Sequence, residues 1–218
     1  MMFRDRAEAG RELARHLRHY AGRAGVIALA LPRGGVPVAY ALAQELGVAM
    51  DIFLVRKLGV PWQPELAMGA VSSGGVLVVN ESVVRACGIT REQIEHATVV
   101  QKAVLEENER ELRNGRPAPD LRDKVVILVD DGLATGSSMR AAIAAVRAYQ
   151  PQRIVVAVPV GAQATCDELR PNVDEMICAS TPEPFWAVGQ WYADFSPVSD
   201  QEVRELLGKA EPNARNVA

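Results

Sequence analysis

Thirteen consecutive residues, Val126 to Ser138, constrain the fold of this chain more than any other segment. They read VILVDDGLATGSS. Four apolar residues are typical of a short buried strand, and two acids, Asp130 and Asp131, stand where that strand would end. The small and polar residues that follow predict a turn, and a helix is predicted from Met139 onward. A strand, a turn and a helix N-terminus in this order form the repeating unit of parallel α/β sheets.

The predicted turn has the composition of a phosphate-binding loop. The first amide groups of a helix lack intrahelical partners, and the helix dipole places roughly half a positive charge beside them, so an anion is stabilised there. Gly132 and Gly136 allow the backbone to approach a ligand closely. Thr135, Ser137 and Ser138 add hydroxyl donors. The loop can therefore hold a phosphomonoester.

Asp130 and Asp131 need a different partner, because a carboxylate that faced the phosphate would repel it. Sugar hydroxyls or a hydrated Mg²⁺ are suitable partners for these acids. The segment therefore predicts a phosphorylated sugar as ligand, with its phosphate at the turn and its diol at the acids. An ordinary βα turn, in which Asp and Gly serve for capping and turning, is the alternative.

The whole segment resembles the signature of the type I phosphoribosyltransferases, which bind phosphoribosyl pyrophosphate (PRPP). The resemblance implies that Asp130 and Asp131 are the catalytic acids, which hold the ribose 2′ and 3′ hydroxyls. It also implies Mg²⁺ as cofactor, held by the same acids indirectly, through metal-bound water. The resemblance assigns the 5′-phosphate to five residues of the turn: Ala134, Thr135, Gly136, Ser137 and Ser138.

A second segment, LPRGG at residues 31–35, follows the first predicted strand and precedes a helix. Two glycines expose backbone amides, and Arg33 adds a rigid cationic side chain, which together suit a pyrophosphate or another anion. The segment resembles the pyrophosphate loop of the same family, and the resemblance assigns that role to Arg33, Gly34 and Gly35. Family members often have a cis peptide in this loop, and the sequence does not reveal its isomer. A common turn is the alternative.

Arg56 and Lys57 form the third segment. We expect them at the end of a second parallel strand, Asp51 to Val55, where open α/β sheets bind ligands. The pair resembles the Arg-Lys that some purine phosphoribosyltransferases place near pyrophosphate. The Gly59 to Pro64 loop would then be a mobile lid. A solvated pair at the end of an edge strand is the alternative.

The stretch PEPFWAVGQWYADF, Pro182 to Phe195, concentrates aromatic residues in a chain that contains only 5% of them. Aromatic faces can stack on a planar base. The stretch resembles the segment that covers the base in hypoxanthine-guanine phosphoribosyltransferases, with Phe185 or Trp186 stacking and Asp194 nearby. It has an extra residue on either side of Gly189. Core packing and a dimer interface are the alternatives.

Along the chain, apolar runs alternate with amphipathic helices, which predicts a type I phosphoribosyltransferase-like α/β fold, an open parallel sheet flanked by helices. We expect a single domain over 1–218, with an inserted hairpin and helix region at about 80–120 and a hood-like segment at about 180–200. Thr90 and Gln93 form a capping box that predicts a long helix to about Asn114. The other predicted elements are helices at 3–20, 36–46 and 162–169, strands at 26–31, 125–129, 154–158 and 175–178, and a hairpin of 66–71 with 75–79.

Composition excludes several classes of function. The apolar fraction of 49% and the charged fraction of 23% are those of a soluble globular enzyme. A net charge of −3 provides no general attraction to nucleic acid or anionic membrane. No apolar run is long enough for a membrane span, so we expect a cytoplasmic protein. Three cysteines without CxxC spacing predict neither a zinc site nor a disulfide framework.

The resemblance implies that the chain transfers ribose 5-phosphate from PRPP to a small nitrogenous base, purine-like by preference, with release of pyrophosphate. A homodimer is the family's usual state. A regulator that binds PRPP or a nucleotide without turning it over is the alternative, although no basic recognition helix is present. An unrelated phosphate-binding α/β protein is the third hypothesis. The chain has no Walker pattern, which argues against a P-loop nucleoside triphosphatase.

Overall fold

The computed structural model describes residues 2–210. Its main sheet has five parallel strands. The two central strands that lead to the site, β1 (Val26–Ala30) and β6 (Val125–Val129), are buried at every residue. They read as continuous apolar runs because helices cover both faces of the sheet. The predicted α/β fold with a parallel sheet is confirmed.

The outer strands and the helices complete this layer arrangement. Alternate strand residues face opposite layers, so that Ala28 lies in one buried cluster and Ile27 lies in the other. The remaining strands of the main sheet are β2 (Ala49–Ile52), β7 (Arg153–Val160) and β8 (Glu175–Ser180). The strand order is β2-β1-β6-β7-β8. The helices are α1 (Arg6–His16), α2 (Gly35–Leu46), α3 (Glu81–Cys87), α4 (Arg91–Arg113), α5 (Ser137–Arg147), α6 (Gln163–Leu169) and α7 (Asp200–Lys209).

A separate antiparallel sheet contains β3 (Val55–Val60), β4 (Gln63–Ser72) and β5 (Leu77–Val79). The predicted hairpin of 66–71 with 75–79 is confirmed as β4 and β5, and β4 begins earlier than expected because its first residues pair with β3.

The predicted strand Asp51 to Val55 is wrong in its position. The parallel strand β2 ends at Ile52, and Val55 opens β3 of the other sheet. Phe53 and Leu54 between them are both buried, so the hydrophobic pattern continues across the change of sheet and does not mark it. Arg56 and Lys57 therefore lie inside an antiparallel strand and not at the end of a parallel one.

The structure of the segment from Gly59 to Pro64 also differs from the predicted loop. Val60 pairs with Gln63, so the segment is a tight hairpin connection between β3 and β4 and not a long loop. Gly59 permits this geometry, because a Cβ atom there would lie 2.5 Å from the carbonyl oxygen of Pro64.

The long helix α4 and its capping box are confirmed. The Thr90 side chain accepts from the backbone N–H of Gln93, whose side chain accepts from the N–H of Thr90. At the other end, the buried Arg113 side chain contacts Asp51 at 2.6 Å and donates to the carbonyl oxygen of Ile52 at 2.6 Å. These contacts anchor the C-terminal end of α4 to the edge strand β2.

The opening helix begins at Arg6, three residues later than predicted. Asp5 caps it by accepting from the N–H of Glu8 at 2.7 Å. Phe3 instead forms a parallel bridge with Tyr192 and is buried against it. The N-terminal segment thus joins the aromatic stretch. We call residues 182–198, which contain this stretch, the hood segment. Within residues 2–210, no helix has both the length and the apolar character that a membrane crossing requires.

Candidate active site

The predicted phosphate and pyrophosphate loops meet at one edge of the main sheet. The strands β1 and β6 are neighbours in parallel register, with Ala30 opposite Val129. The loops that follow them, residues 31–35 and 130–138, therefore leave the sheet side by side. This is the edge where open α/β sheets bind their ligands.

Two glycines allow the loops to touch. A Cβ atom on Gly34 would overlap Oδ2 of Asp131, and one on Gly35 would lie 2.6 Å from the carbonyl oxygen of Val129 and 3.0 Å from Cα of Asp130. No larger residue fits at either position without moving the acids. The peptide bond between Pro32 and Arg33 in the same loop is cis.

The turn after the acids has the geometry that an anion site needs. Gly136 caps α5 in the left-handed region, with φ of 69°, and is buried against Thr165. The surrounding residues of the turn, Ala134, Thr135, Ser137 and Ser138, are exposed. The Thr165 hydroxyl donates to the carbonyl oxygen of Ala134 at 2.7 Å, and Arg140 donates to that of Thr135. The carbonyl groups thus face the protein, which leaves the α5 N-terminus and the hydroxyls at the surface.

The pKa values of both acids are raised above the ordinary value of an aspartate. Burial raises the pKa of Asp130 well above its ordinary value, and the neighbouring Asp131 charge raises it further. Burial also raises the pKa of Asp131, while the Arg6 guanidinium opposes that shift. The side chain of Asp130 accepts from the N–H of Asp131 at 2.9 Å. Adjacent carboxylates with raised pKa values are a common sign of a functional site.

Arg6 is a site residue that the sequence reasoning missed. Its Nε donates to Oδ2 of Asp131 at 2.9 Å. The residue lies 125 positions away in a helix with two other arginines, so no sequence signal distinguishes it.

Arg33 projects from the first loop and pairs with Asp200 at the start of α7. Its Nε lies 2.7 Å from Oδ1 and its Nη2 lies 3.3 Å from Oδ2 of that carboxylate. Both side chains are substantially exposed, at 59% and 40%. Asp200, too, was not expected from the sequence.

The structure separates Arg56 from Lys57, because successive residues of a strand point to opposite faces. Arg56 borders a cavity of about 190 Å³ together with Arg33, Ser138 and Asp200, and its Nε donates to Gln101 at 2.7 Å. Lys57 pairs with Glu65 at 3.2 Å and does not border that cavity. Only Arg56 of the pair is thus placed beside the first loop.

The predicted base-binding residues lie in the hood segment. Phe185 packs against the cluster of Phe3 and Tyr192, whereas Trp186 is 76% exposed. Asp194 accepts from the hydroxyl of Ser196 at 2.6 Å and from its N–H at 3.0 Å, and these bonds lower the pKa of Asp194.

The hood segment reaches the acids through two residues that were not expected from the sequence. The Tyr192 hydroxyl donates to the carbonyl oxygen of Asp131 at 2.6 Å. The Val188 side chain fills the space beside Gly132, where a Cβ atom would lie only 2.5 Å from it. The hood segment is therefore in direct contact with the loop that contains the acids.

The acids fit a Mg²⁺ ion that keeps most of its water. Residues 2–210 contain no group of three or more His, Cys, Asp or Glu side chains able to hold a metal. Asp130 and Asp131 are two partly exposed carboxylates side by side. Mg²⁺ is usually held by one or two carboxylates together with water and substrate phosphates, which matches this arrangement.

Known proteins resemble this chain along most of its length. The protein TT1426 from Thermus thermophilus shares 41% identity over 96% of this chain and 99% of its own, with a TM-score of 0.88. A Neisseria gonorrhoeae protein solved with bound ppGpp shares 13% identity over 96% and 98% of the two chains, with a TM-score of 0.50, which shows a common fold alone.

Two curated relatives, from the H37Rv and CDC 1551 strains of Mycobacterium tuberculosis, carry the provisional name of phosphoribosyl transferase. Each is 41% identical over 209 residues, which is 96% of this chain and 47% of the relative. The chain thus spans about half the length of these relatives. The family described as the phosphoribosyl transferase domain matches residues 4–195, which include both site loops and most of the hood segment. The chain belongs to the phosphoribosyl transferase domain family.

Proposed function

We propose that this chain transfers the ribose 5-phosphate of PRPP to a nitrogenous base, purine-like by preference, and releases pyrophosphate. Membership of the phosphoribosyl transferase family supports the class of reaction. PRPP as donor, the kind of base and the requirement for Mg²⁺ are parts of the proposal.

The contact between the two site loops is the observation that carries this proposal. Gly34 touches Asp131, so an arginine-bearing loop and a hydroxyl-rich helix N-terminus flank one pair of acids. PRPP has the matching order of groups, since its ribose diol lies between a 5′-phosphate and a pyrophosphate. A site for a simple phosphate would need only one of the two loops.

Each group in the site has a role in the proposed transfer. The turn at 134–138 holds the 5′-phosphate, and Arg33 and the amides of Gly34 and Gly35 neutralise the leaving pyrophosphate. Asp130 and Asp131 accept hydrogen bonds from the ribose hydroxyls. As the bond to pyrophosphate breaks, positive charge develops on the sugar ring, and fixed carboxylates beside it stabilise that charge. The reaction depends on positioning more than on a nucleophilic side chain.

The support for Mg²⁺ in this proposal is the pair of carboxylates, Asp130 and Asp131, which are suitable to hold it. When bound, it would neutralise charge on the pyrophosphate. Asp130 and Asp131 would hold it through its water molecules, while remaining the partners of the diol.

The acceptor base is assigned to the hood segment. Phe185 and Trp186 offer the aromatic surface, and Asp194 offers an acceptor for a ring N–H or an amino group. Trp186 has the exposure that stacking requires.

Trp186→Ala should therefore raise the KM for the base and leave the affinity for PRPP unchanged. Equal loss of both, with a lower melting temperature, would assign the side chain to packing.

The proposed function is tested by pyrophosphate release from PRPP and Mg²⁺ in the presence of pooled purine and pyrimidine bases. The matched control is Asp131→Asn, which removes a charge and almost no volume. We expect release that depends on a base and is lost in the variant, and division of the pool then identifies the acceptor. Binding of PRPP without release for any base would favour the alternative, a regulator that senses PRPP or a nucleotide.

Assembly and location are further proposals. A homodimer is expected from the family resemblance, and light scattering of the purified chain tests it directly. A cytoplasmic location fits a reaction on phosphorylated metabolites and is tested by fractionation of cells that express the full-length protein.

A further inference from the structure

Arg6 forms an ion pair with Asp131 that is mostly buried, unlike an ordinary pair of charges on the surface. Its side chain is 11% exposed and that of Asp131 is 15% exposed. Nε donates to Oδ2 of Asp131 at 2.9 Å, and Nη2 lies 2.9 Å from the same oxygen. On its other edge, Nη1 donates to the carbonyl oxygen of Ser196 at 2.8 Å. One guanidinium therefore joins an acid of the site loop to the hood segment.

Aromatic rings hold this guanidinium in place. Its carbon lies 4.0 Å from the ring centre of Phe195 and 6.0 Å from that of Tyr192. These are distances at which an arginine is attracted to an aromatic face. Arg6 is thus fixed by two hydrogen-bond acceptors and by stacking, so little rotational freedom is left to it.

The Asp131 side chain is held by contacts from two sides. Arg6 engages Oδ2, and Gly34 touches the same oxygen from the other loop. The Tyr192 hydroxyl holds the carbonyl oxygen of the same residue. Oδ1 is the oxygen that this clamp leaves for a ligand hydroxyl.

We propose that Arg6 is a positioning residue of the sugar site, which orients the Asp131 carboxylate toward the ribose diol and ties it to the hood segment. This inference rests on the proposed function and deepens it. Stability alone does not account for such a pair, because ion pairs buried to this degree often stabilise a fold no more than apolar residues of similar size do.

Lysine cannot replace Arg6 in this role. A guanidinium offers a planar set of donors that reaches Oδ2 and the Ser196 carbonyl together while it stacks on Phe195. An ammonium group is a point charge without a stacking face. Arg6→Lys should therefore keep the positive charge but lose most of the contribution that Arg6 makes to PRPP binding.

The test is calorimetric titration of the folded chain with PRPP and Mg²⁺. Arg6→Ala should weaken binding roughly 10- to 100-fold, as expected for loss of a hydrogen bond to a charged group. Arg15→Ala is the matched control, since Arg15 lies on the same helix in an exposed pair with Glu12, and it should bind as the wild type does. Ethylguanidinium should restore much of the affinity to Arg6→Ala and none to Arg15→Ala.

A double variant separates positioning from general damage. Once Asp131→Asn has removed the charge that Arg6 orients, adding Arg6→Ala should weaken PRPP binding little further. Full additivity of the two losses would overturn the inference, and so would an Arg6→Ala variant that binds as tightly as Arg15→Ala. Loss that ethylguanidinium does not restore, together with a lower melting temperature, would assign Arg6 to structure alone and also overturn it.

The wild-type titration distinguishes the two levels of failure. If the wild type binds PRPP and the Arg6 variants bind equally well, the positioning role fails and the proposed function stands. If the wild type does not bind PRPP, the proposed function fails and takes this inference with it.

Discussion

Gly34 is required at its position by a neighbouring side chain and not by backbone conformation. Its φ of −60° is open to any residue. The space for a Cβ atom is occupied by the carboxylate of Asp131. A single hydrogen atom in place of a methyl group thus allows the two site loops to meet.

Gly34→Ala is therefore expected to lower the affinity for PRPP by at least about tenfold, or 1.4 kcal/mol. The new methyl group would push the Asp131 carboxylate away from its position, while the loop lies at the sheet edge and the core stays intact. Calorimetric titration measures the loss. Gly208→Ala on α7, where a Cβ atom meets nothing within 4 Å, is the control. Equal affinities for the two variants would contradict this account of the loop contact.

Asp200 competes with the proposed leaving group for Arg33. Both side chains of this pair are exposed, and such pairs contribute only about 0–1 kcal/mol. Asp200→Asn should accordingly tighten binding of pyrophosphate by roughly two- to fivefold. Glu205→Gln, which removes a charge from the same helix, should not. Weaker binding by Asp200→Asn would show that Asp200 serves the ligand instead of opposing it.

The site residues differ in how far the sequence could predict them. Asp130, Asp131 and the turn after them are contiguous, so local pattern and resemblance together single them out as candidates. Arg6, Tyr192 and Asp200 reach the site from the two ends of the described chain. Their contacts depend on tertiary structure. No local pattern marks Arg6 or Asp200, and the aromatic stretch that contains Tyr192 indicated base stacking and not a hydrogen bond to Asp131.

Among the elements, α4 is a long helix whose attachment to the sheet depends on Arg113. This side chain is 4% exposed and contacts Asp51 at 2.6 Å and Glu109 at 3.0 Å. Removing one partner of a buried ion network leaves the remaining charges unpaired, which costs about 3–5 kcal/mol.

Arg113→Ala should therefore lower the free energy of unfolding by about that amount. Arg110→Ala, an exposed residue of the same helix, should change it by less than about 0.5 kcal/mol. Urea unfolding measures both. A loss below about 1 kcal/mol for Arg113→Ala would mean that the helix is held mainly by its apolar contacts.

The turn after α1 is joined to β8 by Tyr20, whose hydroxyl donates to Glu175 at 2.7 Å. Burial, aided by this hydrogen bond, raises the pKa of Tyr20 from 10 to about 12. The folded state therefore keeps its proton where the unfolded chain has lost it. The stability that results is fully present below pH 10 and is lost as the pH rises from 10 to about 12.

Tyr20→Phe should abolish this part of the alkaline unfolding. The advantage of the wild type over the variant should shrink by about 2–3 kcal/mol across that interval. Comparing the two proteins isolates Tyr20, because all other titrating groups are shared. A difference that is independent of pH would show that the hydroxyl ionises equally in both states.

At the scale of elements, the sequence predicted the strands of the main sheet well and the β2–β3 junction poorly. Central strands have a strong signal because they are apolar throughout. The junction failed because Ile52, Phe53 and Leu54 are all buried although the chain changes sheets there. Burial alone does not report which neighbour a strand pairs with.

At the scale of the whole molecule, two segments that are distant in sequence come together beside the candidate site. The N-terminal segment pairs with the hood segment through Phe3 and Tyr192, and both contact the loop that contains the acids. The site is therefore assembled from segments that are far apart in sequence. The molecule must be folded as a whole before Asp131 has its partners.

The central claim is that these two loops form one PRPP site, and titration calorimetry with PRPP and Mg²⁺ tests it most directly. For the wild type we expect saturable binding of one PRPP per chain. For Asp131→Asn we expect binding at least about tenfold weaker by a chain that is still folded. Absence of binding by the wild type, or equal binding by the variant, would contradict the account.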